Sequence, residues 1–149
     1  MKKNLHFLFA VLFNICAMSV SAEITTVEAV SNSQSGIKEA DYTATLAGGT
    51  LLGFQYDYNC FIFCGAISSA TSLVVPDSIR FDNNGKKKTL PVTTIGSKHG
   101  YYNNYNNWVY RYALDCDKAP NVTSLSLPAT ISSIFALSPN IKVLHEQGY

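Results

Sequence analysis

Three cysteines and two histidines after residue 22 are the side chains from which a thiol–imidazole pair could be built. They are Cys60, Cys64, Cys116, His99 and His145. A thiol beside an imidazole is the catalytic pair of a cysteine hydrolase. However, the sequence contains no Gly-x-Ser-x-Gly, no His-Glu-x-x-His and no glycine-rich phosphate loop. Neither histidine has the spacing to the cysteines that zinc sites use. We therefore expect structural roles for these residues, no enzyme activity, no metal site and no cofactor. The alternative is a small secreted cysteine hydrolase that uses Cys60 or Cys64 with His99 or His145.

The pairing of the cysteines stays open. An odd number follows residue 22, so at least one thiol is unpaired within a monomer. Cys60 and Cys64 could form a bridge, or both could be small buried side chains of an apolar strand.

A different chemistry, molecular recognition, is indicated by the segment GYYNNYNNWVYRY from Gly100 to Tyr112. Tyr and Trp supply large, stiff contact surfaces and Asn supplies adaptable hydrogen bonds, as in binding loops. The predicted contact residues are Tyr101, Tyr102, Tyr105 and Trp108. A protein partner is expected, and a glycan is the alternative because aromatic faces also stack on sugar rings. Two other interpretations remain: core packing of the residues around Trp108, and self-association of the loop through strand edges.

The charge distribution argues against nucleic acid as a partner. The formal net charge of the chain is +1, and it becomes −1 without Lys2 and Lys3. The remaining basic run, 86–88, follows Asn84-Gly85, a dipeptide typical of a type I′ hairpin turn. We interpret this run as the solvated flank of a hairpin, because phosphate binding needs a larger basic stripe.

Residues 1–22 have the pattern of a signal peptide. Lys2 and Lys3 precede a short apolar run, and Val20-Ser-Ala22 resembles a cleavage site. The run is too short to predict stable membrane insertion after signal removal. A secreted or cell-surface location is therefore expected.

The coarse pattern after the signal is mainly β with little helix. Residues 42–46 alternate as a strand does, Gly48-Gly49 indicates a turn, and the aromatic run 51–67 suits paired strands. We predict a strand-rich segment at 23–69 and a repeat segment at 70–149, which together form one compact domain.

An internal repeat supports the second segment. Thr71–Ile79 (TSLVVPDSI) recurs as Thr123–Ile131 (TSLSLPATI), and Pro120–Leu125 recurs nineteen positions later as Pro139–Leu144. A short Leu-x-aliphatic strand at a period near twenty residues is typical of a leucine-rich solenoid. The predicted fold is therefore a short leucine-rich-repeat solenoid with few coils, preceded by extra β-strands.

These phrases, together with 90–96 (LPVTTIG) and 112–116 (YALDC), resemble the BspA-type leucine-rich repeat family over about residues 70–144. The resemblance implies an exported or surface protein that binds other proteins, with a role in adhesion, and it implies that Cys116 is a buried cysteine of the turn. The chain departs from the family by inserting Ser97–Arg111 after Ile95-Gly96, and by its small number of repeats.

Overall fold

The computed structural model describes residues 25–96, 100–110 and 114–147. The predicted signal peptide and His99 lie outside these residues. Within the described ranges every helix or strand element is a strand, which confirms the mainly β prediction. The strands are β1 (Thr26–Glu28), β2 (Val30–Ser31), β3 (Tyr42–Thr45), β4 (Leu51–Asp57), β5 (Cys60–Ile67), β6 (Ser72–Val74), β7 (Ser78–Asn83), β8 (Lys86–Ile95), β9 (Gly100–Tyr102), β10 (Trp108–Tyr110), β11 (Asp115–Lys118), β12 (Ser124–Leu127), β13 (Ser133–Ile134) and β14 (Val143–Glu146).

The main element is a nine-stranded, near-closed, barrel-like sheet. Its central order is β1-β7-β8-β5-β4-β3-β2, while β11 pairs with β5 and β13 with β8. Only Ala29 separates β1 from β2, yet β1 pairs with β7 and β2 with β3, at opposite ends of this order. One short segment thus links the two ends of the sheet, and Ala29 is buried where the segment passes from one end to the other.

Turn chemistry explains the hairpins of this sheet. Asn84 and Gly85 join β7 to β8 with φ angles of 55° and 85°, as a type I′ turn requires. The Gly85 N–H also donates to Asp82 Oδ1 at 2.8 Å. The hairpin predicted there is confirmed, and Ile79 and Phe81 on β7 point into the core.

Phenylalanine rings dominate the interior. Four of them, Phe54, Phe61, Phe63 and Phe81, are almost completely buried. The Phe61 and Phe81 rings meet edge to face with centroids 5.0 Å apart, a geometry that aromatic quadrupoles favour. These rings lie on strands β4, β5 and β7, so the core holds the antiparallel hairpins together.

The repeats form a separate parallel sheet in the order β14-β12-β6. Leu125 of β12 lies in register with Leu73 of β6 and with Leu144 of β14. The copies recognised in the sequence therefore stack side by side, each strand at the same repeat position.

The solenoid part of the fold prediction, a short leucine-rich-repeat solenoid at 70–149 preceded by extra β-strands, is wrong. A solenoid is built from parallel coils, whereas β2 to β5 form an antiparallel succession and β7 pairs antiparallel with β8. Antiparallel hairpins dominate because tight turns such as Asn84-Gly85 reverse the chain locally. Repeat stacking is thus confined to a few short strands beside the barrel-like sheet.

Candidate functional site

The Tyr- and Asn-rich insertion leaves and rejoins the sheet at one place. Gly96, with φ of 91°, lies so close to Ala136 that an added Cβ would be 2.6 Å from the Ala136 carbonyl oxygen. On the return, the Leu114 N–H donates to that same oxygen at 3.1 Å. The residues at the two ends of the insertion, Gly96 and Leu114, therefore both lie next to Ala136.

Within the insertion, β9 and β10 form an antiparallel hairpin. Tyr102 pairs with Trp108, and Tyr101 pairs with Val109. The connecting loop, 103–107, is closed by two backbone hydrogen bonds, from Asn103 N–H to Asn107 oxygen and from Asn106 N–H to Asn103 oxygen, each 2.9 Å long. We call residues 100–110 the tyrosine hairpin.

Asn103 organises the loop of the tyrosine hairpin. Its Oδ1 accepts hydrogen bonds from the Tyr105 N–H at 2.9 Å and from the Asn107 N–H at 3.0 Å. Asn106 adopts a φ of 62°, a left-handed conformation that Asn tolerates better than most residues. The Asn residues therefore shape the loop.

Two of the four predicted contact residues have described side chains. Tyr105 is 83% exposed at the tip of the loop, and Tyr102 is 65% exposed at the end of β9. The backbones of Tyr101 and Trp108 take part in the strand pairing, whereas their side chains lie outside the described part of the chain.

A further exposed tyrosine was not singled out from the sequence. Tyr58 is 82% exposed in the turn between β4 and β5, with a φ of 55°. The apolar run 51–67 indicated strands and gave no sign of an exposed tyrosine. However, the flanking Asp57 and Asn59 are turn residues that could have identified the turn at Tyr58. Tyr58 shows that exposure alone does not distinguish the tyrosine hairpin; what differs there is the Asn103 side chain that accepts two backbone hydrogen bonds within the loop.

The cysteines do not form a bridge in the structure, in which Cys60, Cys64 and Cys116 are free. Cys60 and Cys64 lie four positions apart on the single strand β5, which separates them by about 13 Å, well beyond the reach of a disulfide. The sequence left open a Cys60–Cys64 bridge or small buried side chains. Cys64 is a small buried side chain, since it is completely buried.

The thiols are also poorly placed for nucleophilic chemistry. Burial raises the pKa of Cys64, and the nearby carboxylates of Asp41 and Asp115 add to the effect. Burial likewise raises the pKa of Cys116, against a lowering hydrogen bond with Ser138. His145 is exposed on β14. The Cys64 and Cys116 thiols therefore stay protonated and shielded from solvent at neutral pH.

A shallow groove lies at the ends of the repeat strands. It has a volume of about 320 Å³ and is lined by Leu127–Ala129, Ile131–Ile134 and Glu146. Among the described residues no group of three or more His, Cys, Asp and Glu side chains could hold a metal ion. That part of the chain also has no helix long and apolar enough to cross a membrane.

Comparisons of the chain with protein-family models, curated proteins and solved structures found no match.

Proposed function

We propose that this chain is an exported, non-enzymatic binding module that contacts a protein partner through the tyrosine hairpin. The observation that carries the proposal is the exposure of Tyr102 and Tyr105 on a loop held by the Asn103 side chain. A loop ordered before binding loses little conformational entropy when the partner arrives. More of the contact energy then appears as affinity.

The chemistry of the loop suits a protein surface. The Tyr105 ring offers apolar area together with a hydroxyl, and the exposed side chains of Asn104 and Asn106 offer both donors and acceptors. This combination of rigid aromatic anchors and adaptable amides is that of binding loops in general. A glycan that stacks on the same rings is the second candidate ligand.

Two sequence features support the cellular setting of this proposal. Residues 1–22 have the pattern of a signal peptide. The resemblance of residues 70–144 to BspA-type repeats points to an exported or surface protein with adhesive contacts, and the in-register stacking of β6, β12 and β14 is compatible with a distant relation. Export and adhesion are part of the proposal.

A small cysteine hydrolase is less well supported. Cys64 and Cys116 are buried, and their raised pKa values disfavour the nucleophilic thiolate. Cys60 is half-buried, and its Sγ lies 3.6 Å from the Asp57 carbonyl oxygen.

The proposal can be tested before the natural partner is identified. Peptides are selected on the protein from a random displayed library, and their binding is measured on variants by surface plasmon resonance. Tyr102→Ser and Tyr105→Ser are each expected to weaken binding by about tenfold or more, since central aromatic contacts cost about 2 kcal/mol or more when truncated. Asn103→Ala is expected to weaken binding as well, because it releases the loop without removing a tyrosine.

Tyr58→Ser is the matched control, because Tyr58 is as exposed as Tyr105 but lies on another hairpin. Its binding should equal that of the original protein. Selected peptides that bind all the variants equally would contradict the proposal. Binding of the protein to a glycan array, lost in Tyr105→Ser while no peptide is selected, would favour the glycan instead.

A further inference from the structure

The turn between β7 and β8 presents an asparagine directly followed by a glycine at the surface. Asn84 and Gly85 are both exposed, and their φ angles are 55° and 85°. A Cβ built on Gly85 would meet no heavy atom of the described residues within 4 Å, apart from its chain neighbours. The sequence contains this Asn-Gly pair once. Water therefore has access to the peptide bond that joins the two residues.

An Asn-Gly pair can react without an enzyme. The Gly85 backbone nitrogen, after it loses its proton, attacks the side-chain carbon Cγ of Asn84. An N–Cγ bond forms, the Cγ–Nδ2 bond breaks, and ammonia leaves after Nδ2 takes a proton from water. A second water then opens the five-membered imide at either of its carbonyl groups, which gives aspartate or isoaspartate. Glycine favours the first step because it has no Cβ to hinder the approach of its nitrogen.

A hydrogen bond within the turn holds the proton that this reaction must remove. The Gly85 N–H donates to Asp82 Oδ1 at 2.8 Å. A carboxylate acceptor makes such a bond stronger than a neutral acceptor does. Its negative charge also disfavours a second negative charge on the Gly85 nitrogen. The nitrogen that would attack Asn84 is therefore kept protonated as long as this bond persists.

We propose that Asn84 is a site of spontaneous deamidation and that the hydrogen bond from Gly85 to Asp82 sets its rate. In the folded protein the bond keeps the reaction slow, and loss of the bond releases it. Water is the co-reactant in both steps. The tyrosine hairpin takes no part, so this inference is independent of the proposed function.

The two products differ in their effect on the hairpin. Aspartate keeps the length of the main chain and tolerates the positive φ of position 84. Isoaspartate leads the main chain through the former side chain and adds one atom between β7 and β8. The turn fixes the register of a hairpin, which here pairs Asn83 with Lys86 and Phe81 with Lys88. The isoaspartyl form should therefore melt at a lower temperature than the aspartyl form.

Mass spectrometry tests the site after protein expressed from the full 149-residue chain has been incubated in warm, mildly alkaline buffer. Trypsin cuts after Arg80 and Lys86 and releases the peptide 81–86 (FDNNGK), whose fragmentation distinguishes Asn84 from Asn83. Asp82→Ala is expected to deamidate at Asn84 at least about tenfold faster than the original protein, because it removes a hydrogen bond to a charged group. Asp82→Asn keeps a neutral acceptor and should react at an intermediate rate.

Glu28→Gln is the matched control, because it removes ion pairs to Arg80 and Lys87 of the same hairpin and leaves the turn unchanged. Its rate of deamidation should equal that of the original protein, and circular dichroism checks that each variant folds. In urea, Asp82→Ala and the original protein should react at similar rates, since neither has the bond. Hydrogen exchange followed by NMR needs no variant: the Gly85 amide should exchange more slowly than that of an unstructured glycine.

Three results would overturn the inference. The first is an equal rate at Asn84 in folded Asp82→Ala and the folded original protein. The second is a rise in Glu28→Gln as large as that in Asp82→Ala, which would show that general loosening of the hairpin controls the reaction. The third is an unfolded chain that does not deamidate at Asn84.

Discussion

Side chains of the same type in this protein differ in burial and in hydrogen-bond partners, and these surroundings decide how each one behaves. Cys60 and Cys64 lie on one strand, yet Cys64 is completely buried while Cys60 is half-buried. Asp115, a buried carboxylate, accepts hydrogen bonds from the N–H groups of Lys38 at 2.9 Å and Asp117 at 3.0 Å. By contrast, the Lys38–Asp117 ion pair is exposed, and such pairs contribute at most about 1 kcal/mol.

The buried thiol of Cys64 makes a pH-dependent contribution to stability. Its pKa is raised in the folded protein, so above the ordinary thiol pKa the unfolded chain has lost a proton that the folded chain keeps. The contribution is fully present below that pKa and is lost as pH rises. The free energy of unfolding from urea titrations should therefore fall between about pH 8 and pH 10, by up to about 1.4 kcal/mol per pH unit from this thiol.

Cys64→Ala should make that decline shallower. Val92→Ala is the control, because it also truncates a completely buried side chain but removes no titrating group; it should lower stability with an unchanged slope. Equal slopes in Cys64→Ala and the original protein would show that the thiol does not contribute.

At the level of strands, close packing over two glycines anchors the segment between β2 and β3. Gly53 of β4 and Gly65 of β5 are paired across the sheet, and Ile37 lies over both. A Cβ at Gly53 would be 2.8 Å from Ile37 Cγ2, whereas a Cβ at Gly65 would also be 2.6 Å from the Asp115 carbonyl oxygen. The first obstacle is a side chain and the second includes backbone.

This difference predicts that the stability cost of an alanine depends strongly on Ile37 at position 53 and only weakly at position 65. Gly53→Ala should cost about 1–3 kcal/mol of unfolding free energy in the original protein, and less when Ile37→Ala has already removed the two nearest obstructing atoms, after which Ala40 Cβ at 3.1 Å is the remaining close contact. Gly65→Ala should remain costly in the Ile37→Ala background, because the Asp115 backbone still blocks the added methyl. Double-mutant cycles from urea unfolding measure both couplings. Additive effects for Gly53 and Ile37 would contradict the packing.

For the molecule as a whole, the segment that carries β1 and β2 joins the ends of the barrel-like sheet. The Asp77 and Ser78 N–H groups donate to Thr25 oxygen, and the Ala29 N–H donates to Arg80 oxygen. The Asn32 N–H donates to Asp41 oxygen at the opposite end of the sheet. Closure of the sheet therefore depends on this one segment, because its strand β1 pairs with β7 and its strand β2 pairs with β3.

A chain that begins at Asn32 is expected to lose cooperative unfolding, because both ends of the sheet and the buried Ala29 position would open to water. Near-ultraviolet circular dichroism, which reports the aromatic core, during urea titration measures this loss. Glu28→Gln is the comparison: it removes the exposed ion pairs to Arg80 and Lys87 and should cost less than about 1 kcal/mol per pair. A shortened chain with the original transition would show that closure is unimportant.

Much of the local structure could be predicted from the sequence. The Asn84-Gly85 turn, the strand at 42–45, the paired strands of 51–67 and the stacking of the repeat phrases all follow from short motifs. For the candidate site, the composition of the tyrosine hairpin was evident, but the role of Asn103 in ordering the loop was not. That role depends on two specific hydrogen bonds, and composition does not show which Asn makes them.

The motifs of this chain specify turns, strands and repeat register because each depends on backbone preferences within a few residues. The tertiary structure alone decided that the sheet nearly closes on itself, since Thr26 pairs with Ser78 and Val30 with Thr43 across distant parts of the chain. It also decided that Leu125 is buried while its repeat counterpart Leu144 is exposed. Burial depends on which strands lie on either side, and identical repeat positions do not have identical neighbours.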